Sequence, residues 1–267
     1  MIIGDDRRNP VYAGARAASG TYRPAASDFD GDGDTDVLWH GPGTGPESIW
    51  WSRGEAPGSR AGRRRRSRAA TGCCRGTSTA TVGGNVLWYA PGTAGDFVWT
   101  SRGNGGFTSR AVRVNGSCRP VTGDFDGDGD TDVFWYAPGA GRDVIWWSAG
   151  GRLSSAVAPA VNAWYRPVAG DADGDSDILW YAPGMGPDYV WRASGRRFSS
   201  ERTPAVNGTY LTIAADLDAN GRDDIVWYGP GAALDRVWWS MPDAFPVSQR
   251  SPSRCSAGPI GVASRPD

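Results

Sequence analysis

A tryptophan-anchored unit recurs five times along the 267-residue chain, and this repetition restricts the fold more than any other feature. A Trp-Tyr-Ala-Pro-Gly-like pentapeptide begins at Trp39, Trp88, Trp135, Trp180 and Trp227, at intervals of 49, 47, 45 and 47 residues. A second tryptophan always follows eleven residues later, at Trp50, Trp99, Trp146, Trp191 and Trp238. A spacing that never varies marks a rigid unit. Between the two tryptophans lie Gly, Pro and one acid (Glu47, Asp96, Asp143, Asp188 or Asp235), which read as a capped turn joining two short apolar runs. In the third repeat these runs are 133–136 and 144–147, and 152–157 reads as a further strand. Residues 165–168 read as the strand that opens the fourth repeat.

Runs apolar on both sides suit strands packed on both faces. No stretch sustains a helical period, and 39 Gly with 19 Pro favour turns between short strands. Four strands in about 47 residues, five times over, predict an all-β chain: a β-propeller of about five four-stranded blades, complete or part of a larger ring. The expected organisation is an N-terminal segment over 1–20, repeats over 21–250 and a flexible tail over 251–267. Residues 10–18 are a candidate strand to close the last blade.

An acidic loop precedes the hairpin. The first repeat reads Asp28-Phe29-Asp30-Gly31-Asp32-Gly33-Asp34-Thr35-Asp36, with carboxylates at loop positions 1, 3, 5 and 9. The third repeat gives Asp124, Asp126, Asp128 and Asp132, and the fifth gives Asp216, Asp218, Asn220 and Asp224. Position 6 is Gly33, Gly129 or Gly221, where a calcium loop turns sharply. Alternating Asp on a tight loop aims oxygens at one centre, and such carboxylates repel strongly at about 4–5 Å without a cation. Hard oxygen donors in a flexible ring suit Ca²⁺ better than Mg²⁺ or zinc. The loop is not an EF-hand, since position 12 is Trp39, Trp135 or Trp227 and a strand follows. The fourth loop (Asp171, Asp173, Asp175, Asp177) is two residues short and lacks the position-6 Gly, so weak binding or none is expected there.

These loops, with the Asp-Val/Ile-Leu-Trp strand that follows, resemble FG-GAP/VCBS-type repeats, the calcium-loop propeller repeats also seen in integrin alpha subunits. The resemblance covers about 22–240. It implies an extracellular propeller with Ca²⁺ on the blade loops, held by the side chains named above. It further implies a backbone carbonyl from position 7, which is Asp34, Asp130 or Arg222. Family functions run from adhesion and carbohydrate contact to accessory modules on secreted enzymes, and the resemblance does not choose among them.

The second repeat breaks the pattern. Where its acidic loop should end near Asn85, the chain reads Arg75-Gly76-Thr77-Ser78-Thr79-Ala80-Thr81-Val82-Gly83-Gly84, and six Arg lie between Arg60 and Arg68. Codons for 76–82 read one base earlier allow Gly-Asp-Phe-Asp-Gly-Asp-Gly, the missing loop in register. Two compensating frameshifts, one between about Ser52 and Thr71 and one near Asn85, account for this, either in the gene or in its sequence record. The competing reading is an Arg-rich binding patch. Residues 55–84 are expected to be the most poorly packed of the chain, with regular geometry resuming at Val86.

Composition removes several function classes. The chain has no Lys, 28 Arg, one His and a net charge of -1, which argues against a nucleic-acid or membrane-surface partner. No apolar run reaches the roughly 18 residues of a membrane span. A single His excludes multi-His metal sites and makes His40, which replaces a Tyr, a rim residue rather than a catalyst. Cys118 stands where sister repeats carry Tyr. The repeated tryptophans read as core stacked between blades. The position after the second tryptophan varies, so Trp51, Trp147 and Trp239 are candidates for stacking on a sugar. The expected function is a secreted, calcium-stabilised binding or adhesion module without catalytic residues, with a glycan or cell-surface protein as partner. The alternatives are a propeller domain of a polysaccharide-active enzyme and an inert fragment of a longer repeat protein.

Overall fold

The computed structural model describes residues 22–30, 35–41, 48–52, 78–82, 85–91, 95–102, 106–139, 141–231, 233–240 and 249–250. They form five antiparallel sheets, one per repeat, each a meander of neighbouring strands. The first holds β1 (Arg23–Ser27), β2 (Asp36–His40) and β3 (Ser48–Trp50). The second holds β4 (Ser78–Val82), β5 (Asn85–Tyr89), β6 (Asp96–Ser101) and β7 (Phe107–Val112). The third holds β8 (Arg119–Gly123), β9 (Asp132–Tyr136), β10 (Val144–Ala149) and β11 (Arg152–Val157). The fourth holds β12 (Arg166–Asp171), β13 (Ser176–Tyr181), β14 (Tyr189–Ser194) and β15 (Arg197–Arg202). The fifth holds β16 (Leu211–Ala215), β17 (Asp224–Tyr228), β18 (Arg236–Trp238) and β19 (Gln249–Arg250). The expected strand over 152–157 is β11, residue for residue.

The chain divides into two compact units. One is 1–124 with 128–163, and the other is 125–127 with 164–267. In the first unit the opening strands of successive repeats are neighbours, β1 beside β4 and β4 beside β8. In the second unit β12 lies beside β16 in the same way.

The second strand of a repeat is its core. Every residue of β9 is buried, as is 86–89 of β5. The fourth strands β11 and β15 are mostly exposed, which is why they read as polar and alternating while β9 reads as a continuous apolar run. The eleven-residue spacing has a geometric cause. Val133 pairs with Trp146 across the ladder, and Trp135 pairs with Val144, so the two tryptophans are diagonal neighbours on one face. Their ring centroids lie 4.9 Å apart. The same pair recurs at 4.8 Å for Trp39–Trp50, Trp88–Trp99 and Trp227–Trp238, and at 5.1 Å for Trp180–Trp191.

The tryptophans therefore stack within a sheet first. Contact with the next sheet comes from the residue that follows. Tyr89 meets Trp135 at 5.0 Å in the first unit, and Tyr181 meets Trp227 at 5.0 Å in the second, both edge-to-face. His40 does the same against Trp88 at 4.8 Å and is 1% exposed, so it is a core residue and not the rim residue expected. The reason is its slot: it replaces a buried tyrosine.

Tyr136 and Tyr181 donate their hydroxyls to the carbonyls of Ala163 and Gly208, and Tyr89 donates to Gly116. The Tyr89 and Tyr181 oxygens also accept from the backbone N–H of Cys118 and Tyr210. That contact is made by backbone, which explains how Cys118 replaces a tyrosine without loss of it. The Asn-Gly-Ser/Thr triplets at 115–117 and 207–209 are these linker turns, with Gly116 at φ 97° and Gly208 at φ 118°.

The expected closing strand at 10–18, the tail over 251–267 and most of the anomalous segment lie outside the described residues. Of that segment, 78–82 forms β4 and pairs with β5 from Ser78↔Tyr89 to Val82↔Asn85, so regular pairing begins before Val86.

Candidate metal-binding loops

Each acidic loop joins the first strand of a repeat to its second. Three carboxylate trios converge among the described residues: Asp28, Asp30 and Asp36; Asp124, Asp126 and Asp128; Asp216, Asp218 and Asp224. Within each trio the facing oxygens lie within 4.8 Å of one another. Asp32 and Asp34 lie outside the described residues.

The loops hold this shape through their own backbone. Asp124 accepts from the N–H of Asp128 and Gly129 through its two oxygens, and Asp128 Oδ1 accepts from Asp130 N–H at 2.9 Å. The fifth loop repeats the scheme. Asp216 accepts from Asn220 and Gly221, and Asn220 Oδ1 accepts from Arg222. Gly129 and Gly221 take φ of 90° and 81°, the left-handed turn that position 6 requires. Position 4 is left-handed too, at Gly127 (φ 72°) and at Ala219 (φ 59°).

Position 9 works differently from the others. Asp36 Oδ1 accepts from Ser52 N–H, and the same bond runs from Ser148 to Asp132, from Ala193 to Asp177 and from Ser240 to Asp224. Asp36 and Asp224 accept a second N–H, from Phe29 and Leu217, at the start of their own loops. All four are fully buried. This residue latches the loop to the end of the third strand. In the second repeat Asn85 holds the same place and accepts from Ser101 N–H at 3.0 Å.

The fourth loop shows what its two missing residues did. Asp171 accepts from the N–H of Asp173 and Gly174. Asp175 accepts from Gly195 as Asp130 accepts from Gly150, so Asp175 stands at position 7 and Asp177 at position 9. The deletion therefore took positions 5 and 6, a carboxylate and the turn glycine. No converging trio among the described residues draws on Asp171, Asp173, Asp175 or Asp177. Burial raises the Asp177 carboxyl to about 7, and its Oδ2 accepts no hydrogen bond. Asp223, beside this loop, accepts from Asp171 N–H, and burial raises its carboxyl too.

The converging oxygens fit a hard cation. Asp126 supplies the clearest sign: its side chain is 6% exposed, and its Oδ1 is buried without a hydrogen-bond donor. A buried carboxylate oxygen left so is costly unless a cation completes it.

The hairpin acids are caps with a second function. Asp96, Asp143 and Asp188 each accept the N–H six residues back, at Ala90, Ala137 and Ala182. Each also accepts one eighteen residues on, at Val114, Val161 and Val206. One buried carboxylate thus ties the turn to the linker that leaves the blade. Burial pushes Asp143 and Asp188 above the ordinary carboxylate range, and the N–H donors hold part of that shift back.

The candidate sugar-stacking residues are less open than expected. Trp147 is 6% exposed and offers no ring face, while Trp51 and Trp239 are half-buried. The exposed indole is Trp164, at 69%. Sister repeats carry Ser117 and Thr209 in its place, so a tryptophan outside the repeated slots was the available signal.

The FG-GAP repeat model matches residues 119–152. The matched stretch runs from β8 into the start of β11 and contains the Asp124 loop whole. Comparison with curated proteins gives no match. Among solved structures the chain is similar to one described as showing specific recognition of non-reducing terminal N-acetylglucosamine by an Agrocybe aegerita lectin, at 15% identity and a TM-score of 0.62. The likeness covers 87% of this chain and 66% of that one, so this chain spans just under two thirds of that lectin's length. The fold is all-β and propeller-like.

Proposed function

We propose that the chain is a calcium-stabilised, secreted glycan-binding module. The observation that carries the metal half is a converging carboxylate trio at the same loop of three repeats, drawn from positions 1, 3 and 9 in the first and fifth and from positions 1, 3 and 5 in the third. Calcium supplies the charge those oxygens need, and the Asp side chains with the left-handed glycines shape the ring that receives it. Extracellular calcium modules bind at about 10⁻⁴–10⁻³ M, which suits a secreted setting. Asp28, Asp30, Asp36, Asp124, Asp126, Asp128, Asp216, Asp218 and Asp224 are the proposed side-chain ligands.

The glycan half takes its support from the fold shared with a lectin and from two features of this chain. A small recess in the first unit sets Asn85, Thr100, Arg110 and Ser148 beside the Trp146 indole, over an apolar floor of Leu87, Val98, Val133 and Leu153. Trp164 presents an open ring elsewhere. The chain binds and does not catalyse in this reading, in which the hairpin and latch carboxylates accept backbone N–H groups and serve the fold. A glycan array probed with and without calcium tests it. Retention of glycans ending in N-acetylglucosamine or a related sugar, weakened by Trp164→Ala or Arg110→Ala, is expected. Absence of binding to any glycan at millimolar calcium would remove the lectin reading.

A further inference from the structure

The Asp124 loop does not stand alone. Arg196, on the turn between β14 and β15, reaches Asp126 with Nε donating to Oδ2 at 2.7 Å. Arg196 takes φ 67°, where the matching turn of the third repeat has Gly151 at φ 77°. A non-glycine residue in the left-handed region is strained, so this turn tolerates strain while the guanidinium sits against the loop. The fifth loop shares the hydrogen-bond scheme of the Asp124 loop, yet no arginine pairs with Asp216, Asp218 or Asp224 among the described residues.

We propose that Arg196 is a tethered counter-cation of the Asp124 loop, competing with a divalent ion for Asp126. This rests on the calcium reading of the loops. The guanidinium neutralises Asp126 in the metal-free protein. A divalent ion arriving on the other oxygen meets a fixed positive charge across one carboxylate. Arg196 is half-exposed, so solvent screens the repulsion but does not abolish it. The arginine thus lowers calcium affinity at this loop, and calcium loosens the β14–β15 turn.

Calcium titration calorimetry on the full chain tests this, in a background of Asp30→Asn and Asp218→Asn that leaves the Asp124 loop to titrate. Arg196→Gly, which copies Gly151, is expected to tighten binding roughly fivefold. Unchanged or weaker binding would overturn the proposal while leaving the calcium reading intact. In the otherwise unaltered protein, the Arg196 Nε–H resonance is expected to be protected from exchange in chelator and to lose that protection as calcium is added. A signal that stays protected through calcium saturation would overturn the proposal. No calcium uptake by the unaltered protein or by Arg196→Gly would overturn the calcium reading and this inference with it.

Discussion

Asp177 occupies the latch position in a loop that has lost its position-5 partner. Burial is the main cause that raises its carboxyl to about 7; Ala193 N–H and Arg192 lower it, and Asp173 and Asp171 add to the rise. An unfolded aspartate titrates near 3.9. Between about pH 4 and pH 7 the native state therefore holds a proton that the unfolded state has released. Stability falls as pH rises through that window, and the full cost is present above it. Asp177→Asn should raise Tm by a few degrees at pH 8 and leave it unchanged at pH 4. Asn85 already serves in this slot, accepting from Ser101. An equal or lower Tm for the variant at pH 8, by calorimetry, would contradict the assignment. The repeated tyrosines allow a matched comparison. Tyr136→Phe removes the hydroxyl that donates to Ala163 and should cost about 1–2 kcal/mol by urea unfolding. Tyr228, the same residue of the fifth repeat, is 48% exposed, and Tyr228→Phe should fall within about 0.5 kcal/mol of the parent.

At the scale of the repeat, strands and turns were readable because the chain states them five times. The eleven-residue interval between tryptophans is the diagonal of one hairpin, so its constancy encoded a register as well as an element. The hairpin acids read as turn caps from sequence. Their second bond, to Val114, Val161 or Val206, was invisible because it depends on where the linker returns eighteen residues later. Burial within the repeat was the harder quantity. His40 and Trp147 looked like surface residues because they vary between repeats, yet both fill buried slots. Arg196 lay outside every motif, and its meeting with Asp126 spans 70 residues. Asp188→Ala should strand the N–H groups of Ala182 and Val206 and cost about 2–4 kcal/mol. Asp235, the exposed counterpart that accepts from Gly229, should cost clearly less on the same substitution. Equal losses at the two positions, measured by denaturant unfolding, would show that the second bond contributes nothing.

For the whole chain, the proposed calcium sites at the three loops with converging carboxylates predict a stability that depends on divalent metal. With calcium tenfold above its dissociation constant, one site contributes RT ln 11, roughly 1.4 kcal/mol, and three independent sites roughly 4 kcal/mol. Chelation should lower Tm by several degrees, and calcium should restore it better than magnesium. The number of calcium ions held per chain, read by equilibrium dialysis with elemental analysis, reports on the loops most directly. Three ions are expected for the unaltered protein, two for Asp126→Ala, and three for Asp173→Ala, whose loop shows no converging trio among the described residues. A chain that holds no calcium at millimolar concentration, or that loses an ion with Asp173→Ala and none with Asp126→Ala, would contradict the assignment of these loops as calcium sites.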